Sequence, residues 1–85
     1  MKRLDTLRVR GCRYAMRPDR QLTLLSRLPP TWSRPDLTAV ITSQVSGYNA
    51  RAAGALAGAA IEHWLERELI RRVNERGLPK YRRLG

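Results

Sequence analysis

The sequence predicts a mainly α-helical domain with a short N-terminal β ribbon, built in the order strand, helix, helix and completed as an intertwined homodimer. Three observations support this class. Apolar and polar residues alternate near the N-terminus, an apolar stripe at helical spacing follows residue 36, and a longer helix-forming run follows residue 49. An 85-residue chain buries a small core by itself, and a second copy is a common way to enlarge it.

Two segments are candidates for the ribbon. Residues 6–10 alternate strictly, which places Leu7 and Val9 on one face and Arg8 and Arg10 on the other. Residues 21–28 alternate less well, because Leu25 falls on the polar face. Leucine is also a good helix former, so a helix over this run stays open. Pro29 and Pro30 end either structure.

The first predicted helix has clear boundary signals. Ser33 is a suitable N-cap, Pro35 fits the first turn, and Asp36 completes a capping box. Gly47 is a natural residue after the C-terminus of this helix of about eleven residues. The apolar stripe consists of Leu37, Val40, Ile41 and Val45.

The second predicted helix begins after the capping residue Asn49 and runs from about Ala50 to Arg76, where Gly77 and Pro79 end it. Its apolar positions cover more than one stripe, which predicts burial on two sides and hence a partner chain. Gly54 and Gly58 lie one turn apart and favour a close helix crossing. The predicted dimer interface comprises Gly54, Leu56, Gly58, Ile61, Trp64 and Leu65.

The charge is strongly basic and uneven. The net charge is +10, and fifteen of the seventeen basic residues are arginine. Residues 1–34 carry +7, residues 35–66 carry −2 and residues 67–85 carry +5. This division predicts a basic N-terminal arm or extra strand over 1–20, a dimerising strand-helix-helix domain over 21–77, and a basic tail over 78–85.

No constellation of catalytic residues is evident, so an enzyme is the least supported class. His63 is the only histidine, and its neighbour Glu62 points away from it on a helix. Cys12 is the only cysteine, which excludes an internal disulfide and a four-ligand metal site. We therefore expect no cofactor and no metal.

A polyanion is the partner that this charge fits best, because arginine binds phosphate and the guanine edge with two hydrogen bonds. An antiparallel ribbon fits the DNA major groove. The predicted base-reading residues are Arg8, Arg10, Gln21, Thr23 and Arg27. The predicted phosphate-binding residues are Ser33, Asn49, Arg51, Arg72, Arg76, Lys80, Arg82 and Arg83.

Residues 21–68 resemble a ribbon-helix-helix DNA-binding domain. The similarity rests on a short strand ending in Arg27-Leu28-Pro29, an amphipathic helix closed by Gly47, and a second helix reading AAIEHWLERE. The resemblance implies an intertwined dimer whose paired strands enter the major groove. It implies base contacts by Thr23 and Arg27, with Gln21 at the edge, and phosphate contacts by backbone amides near Asn49 and Arg51.

We therefore expect a small dimeric, sequence-specific duplex-DNA-binding protein of bacterial or mobile-element type, acting as a repressor, an antitoxin or a relaxosome-type accessory factor. Two alternatives stay open. One is a phage- or mobile-element-encoded interaction protein that binds or inhibits a nucleoprotein complex, and the other is an RNA-binding or ribosomal component. No stretch has the length of a membrane span, so the expected location is the cytoplasm, with the nucleoid.

Overall fold

The computed structural model describes residues 6–8, 15–44 and 50–84. It contains three helices, and the larger of its two sheets lies at the C-terminal end. The elements in chain order are β1 (Leu7–Arg8), β2 (Ala15–Met16), α1 (Pro18–Arg27), β3 (Thr31–Trp32), α2 (Arg34–Gln44), α3 (Ala50–Glu66), β4 (Ile70–Glu75) and β5 (Leu78–Arg83). The predicted strand-helix-helix class with an N-terminal ribbon is therefore wrong.

The segment that was the main ribbon candidate is helix α1. Pro18 occupies the first turn and Asp19 follows it, a favourable start for a helix. The helix buries Gln21, Leu24 and Leu25, and Leu28 continues this face at the next helical position. Leu25, which interrupts a strand pattern, fits this stripe and is 4% exposed.

Helix α2 confirms the prediction made from its capping signals. The backbone N–H and the hydroxyl of Ser33 both donate to Asp36 Oδ2 at 2.9 Å, and Leu37 N–H donates to the Ser33 carbonyl. Leu37 and Ile41 are fully buried, and Val40 packs beside them. The predicted end at Gly47 and the cap at Asn49 lie outside the described residues.

Helix α3 is shorter than predicted, since it ends at Glu66 rather than at Arg76. Glu68 adopts a positive φ of 58°, its N–H donates to the Leu65 carbonyl, and Leu69 N–H donates to the Trp64 carbonyl. These two bonds form a Schellman motif closed by a residue other than glycine. The buried residues form one stripe along one side of the helix: Ala53, Leu56, Ala57, Ala60, Ile61 and Trp64.

The residues after α3 form an antiparallel hairpin. β4 and β5 pair over six rungs, from Ile70 opposite Arg83 to Glu75 opposite Leu78. Arg76 and Gly77 connect them with φ of 55° and 80°, the two positive values that a two-residue hairpin turn of type I′ requires. Gly77 thus turns a hairpin instead of ending a helix, and Leu78–Arg83 of the predicted basic tail form β5.

The core lies between the helices and one face of the β3-β5-β4 sheet. Trp32 on β3 meets Trp64 on α3 edge to face at 6.2 Å between ring centroids, and Tyr81 on β5 lies 5.2 Å from Trp32. The β1–β2 pair adds Leu7 and Met16, which are both buried. Each described helix and both sheets contribute to this single core.

The topology follows from the element order and the sheet order together. A helix, a short strand, two helices in contact and a hairpin follow one another, and the short strand β3 pairs with β5, the second strand of the hairpin. None of the helices in the described segments is long and apolar enough to cross a membrane.

Candidate nucleic-acid interface

Four arginines lie together at the base of the β4–β5 hairpin. The first three rungs pair Ile70 with Arg83, Arg71 with Arg82, and Arg72 with Tyr81. Four of these six residues are therefore basic, and none is acidic. We call Arg71, Arg72, Arg82 and Arg83 the arginine cluster. All four are exposed, and none forms an ion pair or side-chain hydrogen bond within the part of the chain that is described.

The register of the sheet divides the cluster between its two faces. Paired residues of an antiparallel sheet share a face, and successive residues alternate. Arg71 and Arg82 lie directly opposite each other on the outer face, away from the core, where Thr31 continues the same row on β3. Arg72 and Arg83 lie on the other face. Like charges directly opposite each other destabilise a sheet, so an anion bound across this row would stabilise it.

The distal part of the hairpin projects beyond the rest of the sheet. β3 pairs only with Tyr81 and Arg82, so the rungs beyond them have no third strand. The six residues from Asn74 to Pro79, which we call the hairpin tip, are all exposed. Its acidic residue, Glu75, accepts a hydrogen bond from Lys80 Nζ at 3.1 Å, which neutralises the carboxylate.

A shallow recess of about 190 Å³ borders the cluster. It lies between the end of β5, at Arg82 and Arg83, and the turn formed by Leu28, Pro29 and Pro30. The arginine cluster therefore continues into a concave surface and is not confined to a flat sheet.

The exposed side of α3 has a different chemistry. Its exposed residues are Ala50, Arg51, Ala55, Glu62 and Glu66, so small residues occupy the first half and two acidic residues the second. Alanine offers no hydrogen bond to a base edge, and glutamate repels phosphate. Among its exposed residues, helix α3 thus provides a single basic side chain, Arg51, in its first turn.

The structure separates the predicted base-reading residues. Gln21 is fully buried: its Nε2 donates to the Met16 carbonyl at 3.1 Å, and its Oε1 accepts from Trp64 Nε1 at 2.9 Å. Its assignment to a ribbon edge is wrong. Thr23 and Arg27 are exposed on α1, where the Thr23 hydroxyl donates to the Asp19 carbonyl. Arg8 is exposed on β1, and Arg10 lies outside the described residues.

The predicted phosphate-binding residues fall into two groups. Arg72, Arg76, Lys80, Arg82 and Arg83 come together on the hairpin. Ser33 and Arg51 lie at the starts of two helices, and the carboxylate of Asp36 already occupies the Ser33 end. Asn49 lies outside the described residues. Thr31 was not among the predicted residues, since only the strand register places it beside Arg82.

The predicted dimer interface is mostly the core of the single chain. Leu56, Ile61 and Trp64 are at most 4% exposed, and Leu65 packs against the same core. Gly58 faces Arg34 instead of another helix, because a Cβ at Gly58 would lie 2.8 Å from Arg34 Nη2. The guanidinium donates to the Gly54 carbonyl at 3.0 Å. Gly58 therefore accommodates the side chain of Arg34 from α2, whereas Gly54 contributes its carbonyl.

Within the described segments, no group of three or more histidine, cysteine or acidic residues is placed to hold a metal ion. His63 is half-buried on α3, and its Nε2 is buried without a hydrogen-bond partner. No protein-family model matches the chain, and neither a curated protein nor a solved structure is significantly similar to it.

Proposed function

We propose that this protein binds duplex DNA through the β4–β5 hairpin. The observation that carries the proposal is the arginine cluster: four exposed arginines in three consecutive rungs with no acidic partner. Neutralising phosphates with such side chains releases counterions from DNA, which provides most of the affinity in this kind of binding.

The shape of the site favours a duplex. A two-stranded β hairpin has a width that the grooves of a duplex can accept, and arginines on both of its faces can contact the two phosphate strands that border a groove. The described aromatic residues Trp32, Trp64 and Tyr81 pack in the core, which leaves no exposed stacking platform there for unpaired bases.

The hairpin, and not α3, is the main contact in this proposal. In a helix-turn-helix protein the second helix of the motif commonly reads bases in the major groove, but a fold by itself does not assign a function. The exposed residues of α3 are mostly alanine and glutamate, whereas the hairpin carries six basic residues. Binding should therefore depend mainly on phosphate contacts. Reading of a specific sequence, as in a repressor, antitoxin or relaxosome factor, stays a prediction.

Fluorescence anisotropy with a labelled duplex of about 20 base pairs, at several salt concentrations, tests the proposal. Replacing Arg71 and Arg82 together by glutamine should weaken binding about tenfold or more. It should also lower the slope of log K against log salt by about two, since each lost phosphate contact removes about one. A second duplex of unrelated sequence measures specificity.

The matched control is Arg17→Gln with Arg20→Gln. Both residues are exposed at the start of α1, so this variant has the same net charge as the cluster variant but keeps the hairpin intact. If the two variants lose affinity equally, total charge and not the hairpin determines binding. Absence of binding even at low salt, or a clear preference for structured RNA in competition, would contradict the proposal.

A further inference from the structure

The hairpin tip carries a large exposed apolar side chain, Leu78, as well as charged ones. We propose that the tip enters the minor groove, inserts Leu78 between base pairs and bends the duplex. This inference rests on the proposed function, and it names the groove, the inserted residue and the deformation of the DNA.

Leu78 is 61% exposed, the highest value among the exposed large apolar residues of the described segments. It directly follows the turn at Arg76 and Gly77 and lies opposite Glu75 at the last rung. Pro79, the next residue, is also exposed and rigid in φ. Leucine and proline are among the residues that proteins wedge between base steps from the minor groove.

The charge of the tip is compatible with this approach. Glu75 is beside Leu78, and a free carboxylate there would be repelled by phosphates on both sides of the groove. Lys80 Nζ lies 3.1 Å from Glu75 Oε1 and cancels that charge. Arg76 at the turn adds a positive group at the point that would enter first.

The reach of the hairpin fits the groove. Three rungs separate Arg72 and Tyr81 from the turn, which corresponds to about 10 Å of strand at about 3.3 Å per residue. The minor groove is about 7.5 Å deep. Leu78 can thus reach the base pairs while the arginine cluster stays level with the phosphates.

The width of the groove explains why insertion and bending should occur together. An unbent minor groove is about 6 Å wide, which is narrow for two strands about 4.8 Å apart with their side chains. Insertion of a wedge unstacks one base step and kinks the duplex toward the major groove, which opens the minor groove. The energy gained at the arginine cluster would stabilise this deformed DNA.

Energy transfer between dyes on the two ends of a duplex of about 30 base pairs measures the bend, and anisotropy on the same samples measures binding. The native protein should shorten the end-to-end distance by an amount that corresponds to a bend of about 20–90°. Leu78→Ser should lose most of the bend and should still bind through the arginine cluster, which can contact phosphates from outside the groove, with a lower affinity than the native protein.

Leu22→Ser is the matched control, because Leu22 is 56% exposed and belongs to α1 and not to the hairpin. It should bind and bend DNA as the native protein does. Binding without bending, or equal bending by the Leu78→Ser variant, would overturn the wedge and leave the proposed function standing. Failure to bind any duplex at low salt would overturn both.

Discussion

Gln21 connects three elements through the hydrogen bonds of one side chain. Its amide nitrogen donates to the Met16 carbonyl of β2, and its amide oxygen accepts from the indole N–H of Trp64 on α3. A buried polar group is tolerated when its partners are present, and here both ends of the amide are satisfied. This fully buried side chain therefore fixes α1 against its neighbours.

Replacing Gln21 by alanine should lower the free energy of unfolding by about 2–4 kcal/mol, since it deprives the buried Trp64 N–H of its partner, removes the bond to the Met16 carbonyl and opens a cavity. Urea denaturation followed by tryptophan fluorescence measures the change. Thr23→Ala, at an exposed position two residues away, should cost below about 1 kcal/mol. A stable Gln21→Ala protein with impaired DNA binding would instead support a role at the DNA.

Gly54 and Gly58 are one turn apart but have different surroundings. A Cβ at Gly54 meets nothing within 4 Å, whereas one at Gly58 would meet the guanidinium of Arg34. Gly54→Ala should therefore stabilise the protein by about 0.5–1 kcal/mol, the usual preference of a helix for alanine. Gly58→Ala should stabilise it less, because Arg34 must give up its hydrogen bond to the Gly54 carbonyl.

Thermal or urea unfolding of the two single variants, and of Gly58→Ala combined with Arg34→Ala, measures this difference. In the Arg34→Ala background, Gly58→Ala should give the full increase in stability expected for alanine in a helix, since the guanidinium is absent. A large loss of stability from Gly54→Ala would contradict the structure and indicate that another chain packs there.

At the scale of elements, the sequence signals were reliable where local chemistry decides the structure. The capping box at Ser33 and Asp36 predicted the start of α2, and the hydrogen bonds confirm it. Helix α1 was predicted only as the alternative to a strand, because Leu22, Leu24 and Leu28 fit a period of two, although Leu24, Leu25 and Leu28 also fit a helix. Packing against α2 and α3, which no local pattern encodes, makes the helix the stable choice.

The end of α3 and the hairpin could not be predicted for a related reason. The Schellman motif is closed by Glu68, although glycine is the residue that usually occupies this position and that marks a helix end in a sequence. The first glycine after the helix is Gly77, so the prediction moved the helix end to that position and absorbed β4. Only the tertiary contacts of Ile70 and Tyr81 with the core show that the chain has already turned into a strand.

Gly77 provides a direct test of the hairpin. Its φ of 80° strains any residue with a Cβ, so Gly77→Ala should destabilise the protein by about 1 kcal/mol, even though nothing lies within 4 Å of the new methyl group. Hydrogen exchange should show faster exchange at the β4 and β5 amides. If Gly77 ended a helix instead, exchange would become faster only for the last residues before Gly77. It would not become faster along both β4 and β5.

For the whole molecule, the distribution of charge along the chain could be read from the sequence, but its arrangement in space could not. The sequence shows two basic ends around a near-neutral middle. Within the C-terminal basic end, β4 and β5 fold back on each other, so that Arg71 and Arg82 become neighbours although they are eleven positions apart in the sequence. Strand pairing thus converts a diffuse excess of charge into a localised site.

The core also changes what we expect of the oligomeric state. The predicted dimer rested on a helix buried on two sides, but α3 buries one stripe and ends at Glu66. Leu56, Ile61 and Trp64 are buried within their own chain. Pairing through those residues would require the core to open, which would expose apolar surface at about 25 cal/mol per Å².

We therefore expect light scattering to give the mass of a single 9.7 kDa chain at micromolar concentration. The mass should be unchanged by Gly54→Ala, which alters the surface that was predicted to be the dimer interface. The opposite result would be a dimeric mass for the native protein that Gly54→Ala shifts toward the mass of one chain. Because a Cβ at Gly54 meets nothing within its own chain, the substitution can weaken a dimer only if a second chain packs there. That result would contradict the burial described here. A dimer insensitive to that substitution would place the contact on another surface and leave the core as described.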